Sequence, residues 1–113
     1  MPRNLRYKQQ QFTKNIGKLI DFAYSNGYTL TFGDAYRDPR IFGKFGAKKS
    51  YSAAYSLHKK RLAIDLNLFK NGVYLKSTYE YKLLGDYWKS LNKDNVWGGD
   101  FKNNDGNHFT VKK

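Results

Sequence analysis

The sequence contains no cysteine among its 113 residues. That excludes disulfides and thiolate metal sites together, so any transition-metal site must use histidine and carboxylate. Histidine is nearly as scarce, with only His58 and His108 in the chain. Acidic residues number 9 against 21 lysines and arginines, a formal net charge of +12. So basic a surface attracts polyanions, and nucleic acid, anionic lipid and anionic cell-wall polymers all qualify on charge alone. No apolar run reaches the length of about 18 residues that a membrane span requires. The stretch Met1–Lys8 is basic but is not followed by an apolar segment, so it does not read as a secretory signal. Repeats, low-complexity tracts and linkers are also missing. The reading is a single domain over 1–113 with one modest core.

Hydrophobic residues make up 40% of the chain and aromatics 18%, with 10 Tyr, 8 Phe and 2 Trp. Much of the core is therefore aromatic, and the composition is not that of a disordered chain. Phe12, Ile16, Leu19, Ile20 and Ala23 recur at spacings of three and four, which predicts a helix over 7–25. Asn26-Gly27 stops it. The alternation of Tyr, Leu and Phe with Thr predicts a strand over 28–32. Residues 33–50 read as a loop, and 51–57 as a short helical turn. The clearest strand covers 61–69, with Leu62, Ile64, Leu66 and Leu68 on a core face and Arg61, Ala63, Asp65 and Asn67 on the other. Asn71-Gly72 is a two-residue hairpin signal, with 73–75 as the return strand. A second helix is expected over 78–91, its stripe formed by Tyr81, Leu84, Tyr87, Trp88 and Leu91. The last strand begins at His108. Two helices with several mostly antiparallel strands define an α+β fold, a small sheet with helices packed on it.

Asp65 is the unusual residue of the central strand. Strands are depleted in Asp, and a carboxylate among Leu and Ile needs a partner or a solvent-facing side. Ala63, next along its face, is small and leaves room above the sheet. His58 lies seven residues before Asp65, and Asp105 three residues before His108. Two histidines and one carboxylate leave one coordination position for water, as in a catalytic zinc site, and a second carboxylate nearby can act as base.

These residues also carry a resemblance. Ser56-Leu57-His58-Lys59-Lys60-Arg61-Leu62-Ala63-Ile64-Asp65-Leu66 resembles the S-x-H-x-x-G-x-A-x-D motif of the D-alanyl-D-alanine carboxypeptidase and hedgehog-like zinc peptidases. Trp97-Gly98-Gly99, followed by Asp105-Gly106-Asn107-His108-Phe109, resembles their second motif, W-G-G and then D-x-x-H-F. Gly33-Asp34-Ala35-Tyr36-Arg37 is similar to the family's Y-R segment. The chain looks most like the phage L-alanyl-D-glutamate endopeptidases, endolysins that cut the peptidoglycan stem peptide. It departs from the motif at Arg61, where Gly is common, and at Thr110, where many relatives carry Glu or Gln after the Phe.

The resemblance implies a hedgehog/DD-peptidase-like fold, with zinc held by His58, Asp65 and His108 and Asp105 as catalytic base. The alternative for Asp105 is a turn residue, since Asn-Asn-Asp-Gly-Asn is good turn chemistry. Arg37 would hold a substrate carboxylate or the developing oxyanion, or else pair with Asp34 or Asp38. Ser56 would bind substrate or cap the local turn. Trp97 would form a packed wall of the site, and Gly98-Gly99 a tight turn beside the metal. The implied partner is the stem peptide, with anionic envelope polymers attracted by the basic surface. A monomer made in a host cytoplasm would reach the wall by holin-type release or as a virion part. The alternatives are a D,D-carboxypeptidase of the same family, a basic nucleic-acid-binding domain using Lys59-Lys60-Arg61, and a metal-binding domain without catalysis. The nucleic-acid reading leaves the two His and two Asp unexplained, so no nucleic-acid partner is expected.

Overall fold

A computed structural model of the protein describes residues 2–33 and 60–112. Helix α1 covers Pro2–Ser25, starting well before the expected residue 7. Proline is tolerated in a first helical turn, and Leu5 packs against the core two turns ahead of Phe12. The helix ends as its sequence predicts, with Gly27 at φ 85° and the Tyr28 N–H donating back to Ala23 O at 3.0 Å.

Strand β1 is Thr29–Phe32 and β2 is Ala63–Lys70. Asn71 and Gly72 both have positive φ, 51° and 78°, the conformation of a type I′ turn. The turn leads into β3, Val73–Leu75, with Lys70 opposite Val73. The expected helix over 78–91 is divided. A 3-10 turn, Thr78–Tyr81, is followed by helix α2, Lys82–Leu91. A capping box sets its start: Ser77 Oγ accepts from the Glu80 N–H, and the Glu80 carboxylate accepts from the Ser77 N–H at 3.0 Å. Strand β4, Asn95–Trp97, a 3-10 turn at Gly98–Asp100 and strand β5, His108–Val111, complete the order.

Among the described residues all strand pairs are antiparallel, in the order β1-β2-β5-β4. Two strands share the edge of β2 that faces away from β1. Strand β5 pairs along Ala63–Asp65 and β3 along Leu68–Lys70. Helices α1 and α2 cover one face of this sheet, so the α+β architecture expected from the sequence is the observed one. The core joins Phe12, Ile16, Leu19 and Ala23 of α1 to Leu84 and Trp88 of α2 and to Ile64, Leu66, Leu68 and Phe109 of the sheet. It is strongly aromatic: Trp88 meets both Phe12 and Phe109 edge-on, and Phe22 stacks on Tyr87 at 4.0 Å. Trp88 Nε1 donates to Val96 O and Thr110 O, both at 3.0 Å, and so fastens α2 to β4 and β5. Among the described residues, no helix is long and apolar enough to cross a membrane.

Candidate active site

With Ile64, Leu66 and Leu68 turned into the core, strand alternation directs Asp65 and Asn67 to the sheet face opposite the helices. Strand β5 places His108 directly across from Asp65. Asp65 Oδ1 and His108 Nδ1 are 2.9 Å apart, and both side chains are largely shielded from solvent. Ala63, expected to leave room on this face, is itself buried opposite Thr110.

Asp105 comes from the loop entering β5, which leaves the sheet where β3 takes over the β2 edge. Backbone bonds fix the loop. The Asp105 N–H donates to Gly98 O at 2.9 Å, the His108 N–H to Asp105 O at 3.1 Å, and the Leu66 N–H to Asn107 O at 2.8 Å. Asn107 Nδ2 also donates to Asn67 Oδ1 at 3.2 Å. The Asp105 side chain stays exposed. Asp65, Asp105 and His108 each offer a ligand atom within 4.8 Å of the other two. Donors about 2.0–2.2 Å from a tetrahedral zinc would lie about 3.3–3.6 Å from one another. Imidazole nitrogen with carboxylate oxygen is a donor set zinc accepts. The three residues fit such an ion in chemistry, and their donor atoms lie close enough together to be drawn in around one.

His58, Arg37 and Ser56 lie outside the described residues, as do the expected loop beyond Gly33 and the helical turn at 51–57. Trp97 is not placed where a substrate would meet it. It is 4% exposed, and its Nε1 donates to Gly106 O at 2.7 Å, so it supports the Asp105 loop from below. The expected tight turn is present as the 3-10 turn over Gly98–Asp100, and Gly98 serves a second purpose. A Cβ there would stand 2.2 Å from Asp105 O and 2.7 Å from the His108 Cβ, so only glycine lets the two segments approach this closely.

Both departures from the motif acquire structural meaning. Arg61 has φ 57°, a left-handed conformation that glycine adopts without strain and arginine does not. Thr110 is buried, and its hydroxyl donates to Leu62 O at 2.7 Å; it ties β5 to the start of β2.

Sequence reasoning missed Phe101. Its ring lies 5.7 Å from the His108 ring and is 40% exposed, an apolar wall beside the cluster. The signal was present, since Phe101 follows the Trp97-Gly98-Gly99-Asp100 segment. Lys89 on α2 secures that segment by bonding Asp100 Oδ2 at 2.8 Å. A polar cleft of about 180 Å³ opens beside Asp105, lined in part by Lys76, Thr78, Asn104 and Asn107.

Residues 50–111 match the family described as D-alanyl-D-alanine carboxypeptidase. The matched stretch spans both motifs and all three clustered residues. In fold, the chain is similar to the crystal structure of the L-Ala D-Glu endopeptidase ChiX of Serratia marcescens. The TM-score is 0.67 at 17% identity, over 98% of this chain and 85% of that one. No curated protein matches the chain.

Proposed function

The chain belongs to the D-alanyl-D-alanine carboxypeptidase family of peptidases, and from that premise we propose that it is a zinc peptidase hydrolysing the L-Ala–D-Glu bond of the peptidoglycan stem peptide. The observation that carries this reading is the meeting of Asp65, Asp105 and His108 within the stretch that matches the family. The endopeptidase reading is supported by the fold shared with an L-Ala D-Glu endopeptidase and by the resemblance of the sequence to the phage L-alanyl-D-glutamate endopeptidases. The family's own description favours one second reading, removal of a terminal D-alanine.

In this reading His108 and Asp65 hold the ion, with His58 as the third ligand. Bound zinc supplies Lewis acidity toward the scissile carbonyl and toward water. Asp105 is left to move protons. Its exposed carboxylate takes one from the attacking water and delivers it to the nitrogen of the departing amine. The backbone bonds that Asp105 donates to Gly98 O and accepts from the His108 N–H keep its segment beside the ligands. Arg37 binds a substrate carboxylate or the developing oxyanion, and Ser56 adds a hydroxyl to substrate binding. Phe101 excludes water on one side of His108. Lys76, in the cleft beside Asp105, suits an anionic stem peptide, and the net charge of +12 draws the protein to anionic envelope polymers.

Digestion of purified peptidoglycan with mass analysis of the fragments tests the proposal. New amino termini on D-Glu are the expected result. Loss of single D-alanine residues would move the assignment to the carboxypeptidase reading. No cleavage, together with tight salt-sensitive binding to DNA or RNA, would overturn it in favour of a nucleic-acid-binding domain.

A further inference from the structure

A groove of about 550 Å³ runs between the N-terminal half of α1 and the ends of β4 and β5. It opens on the other side of the sheet from the Asp65–His108 pair. Side chains alternate along β5: Phe109 packs on Trp88 in the helix layer, Val111 shares that face and lines the groove, and His108 faces the opposite way. Tyr7, Gln11 and Asn15 form the helix wall. They occupy successive turns of one stripe about 12 Å long, enough for a short oligosaccharide.

One buried amide in this groove stands out. Among the described residues, three polar side chains are buried: Asn15, Asn95 and Thr110. Asn95 Nδ2 donates to Trp88 O at 2.8 Å, and the Thr110 hydroxyl donates to Leu62 O at 2.7 Å. Asn15 is only 7% exposed, yet among the described residues its amide has no hydrogen-bond partner. A buried amide left in this way lowers stability, and an apolar residue of the same shape would not. Tyr7, two turns away, shows the reverse pattern, an aromatic ring left 61% exposed.

We propose that this groove binds the glycan strand of peptidoglycan, with one sugar lying against the Tyr7 ring and the acetamido group of an N-acetylated sugar further along the strand paired to the Asn15 amide. The proposal rests on the peptidoglycan reading above. An acetamido group offers one N–H and one C=O, the complement of a side-chain amide's C=O and N–H. The C–H face of a sugar is apolar and matches an exposed aromatic ring. Polar side chains and the Tyr7 and Phe12 rings line the groove together, a mixture suited to a sugar's hydroxyls and its C–H face. Lys8, Asp94 and Lys112 all line the groove, so its walls carry both signs, which disfavours a polyanion here. A second, uncharged grip on the wall raises the local concentration of stem peptide at the catalytic face.

The test is titration of the full-length, zinc-loaded protein with the N-acetylglucosamine trimer, followed by backbone amide NMR. Saturable shifts confined to residues 7–15, 92–95 and 111–112 are expected. Tyr7→Ala should weaken binding roughly tenfold, the scale of one lost aromatic contact. Asn15→Leu should abolish binding while raising Tm by a few degrees. Should that variant fail to fold, Tyr7→Ala, at an exposed position, still decides the matter. Absence of shifts at millimolar trimer overturns the proposal, as does binding that Tyr7→Ala leaves unchanged. Shifts in the groove produced instead by stem peptide or by an anionic wall polymer also overturn it. A protein that cleaves soluble stem peptide and ignores the trimer sinks the groove alone. One that binds the trimer and never cleaves stem peptide sinks the peptidase reading instead.

Discussion

Asp65 and His108 are direct cross-strand neighbours, with Oδ1 and Nδ1 2.9 Å apart. Opposed residues in an antiparallel pair hold their Cβ atoms about 4.5–5.5 Å apart. Sheet register alone therefore brings these groups together. A slip of one residue in the β2–β5 pairing would turn one of them to the core face.

The pair predicts metal binding at about one zinc per chain. His108→Ala should lose the ion, and Asp65→Asn should bind it markedly more weakly; His58→Ala should behave like His108→Ala. Elemental analysis of protein purified without chelator, followed by zinc titration, checks this. A wild-type protein that neither contains zinc nor takes it up contradicts the assignment.

Asp105→Asn should lower turnover about 100- to 10,000-fold, the usual value of a positioned general base, with zinc content unchanged. The amide keeps the size of the carboxylate but cannot accept a proton near neutral pH. Turnover and bound zinc must be measured on the same preparation. Loss of the ion would make Asp105 a ligand, which its distance from the other two donors permits.

Gly98→Ala should damage the site without touching any of its functional groups. The new methyl would strike Asp105 O and the His108 Cβ, and both belong to backbone-held segments with little freedom to move. Overpacking of this kind costs about 1–3 kcal/mol. The variant should melt lower and turn over far more slowly; a wild-type rate would show that the approach of the two segments is not needed.

Arg61→Gly should have the opposite sign. At φ 57° a side chain costs about 1–2 kcal/mol over glycine, partly offset by the greater freedom of glycine in the unfolded chain. A net gain of about 0.5–1 kcal/mol in denaturant unfolding is expected. A clear loss would show that the contacts of Arg61 outweigh its backbone strain.

The capping box predicts a pH effect. Hydrogen bonds from the Ser77 backbone and hydroxyl hold the Glu80 carboxyl below its usual 4.5. A depressed folded-state value gives stability that is present above the unfolded value and lost as pH falls through the folded one. Ser77→Ala should therefore lower Tm at neutral pH and narrow its gap to wild type as pH drops below about 4. Melting curves across that range provide the check; a gap independent of pH would remove Glu80 from the account.

The elements most legible in the sequence are those whose side-chain period and turn chemistry agree. The alternation through Leu62–Leu68 and the positive-φ pair Asn71-Gly72 specify β2 and its hairpin locally, and the structure has both. The Tyr81, Leu84, Trp88 stripe is buried as its spacing implies. The start of α1 was hidden because polar residues fill the interval between Leu5 and Phe12. The break at Lys82 was hidden because the stripe runs through it, although Ser77-Thr78-Tyr79-Glu80 carries a capping signature. Around the site, Asp65 was legible as a carboxylate inside an apolar strand, and His108 as one of two histidines in the chain with Asp105 three residues before it. The position of Phe101 beside His108 was not, because it depends on how the β4–β5 segment folds back on itself.

The partners Asp65 and His108 are 43 residues apart, and that separation bears on the order of folding. Closing a loop costs entropy that grows with its length, whereas the β2–β3 hairpin closes across two residues. Helices and hairpin are thus free to form early, and β5 docks onto β2 late. An ion held by both strands grips only the chain in which that docking is complete. It would act as a latch, slowing unfolding while leaving the folding rate nearly unchanged.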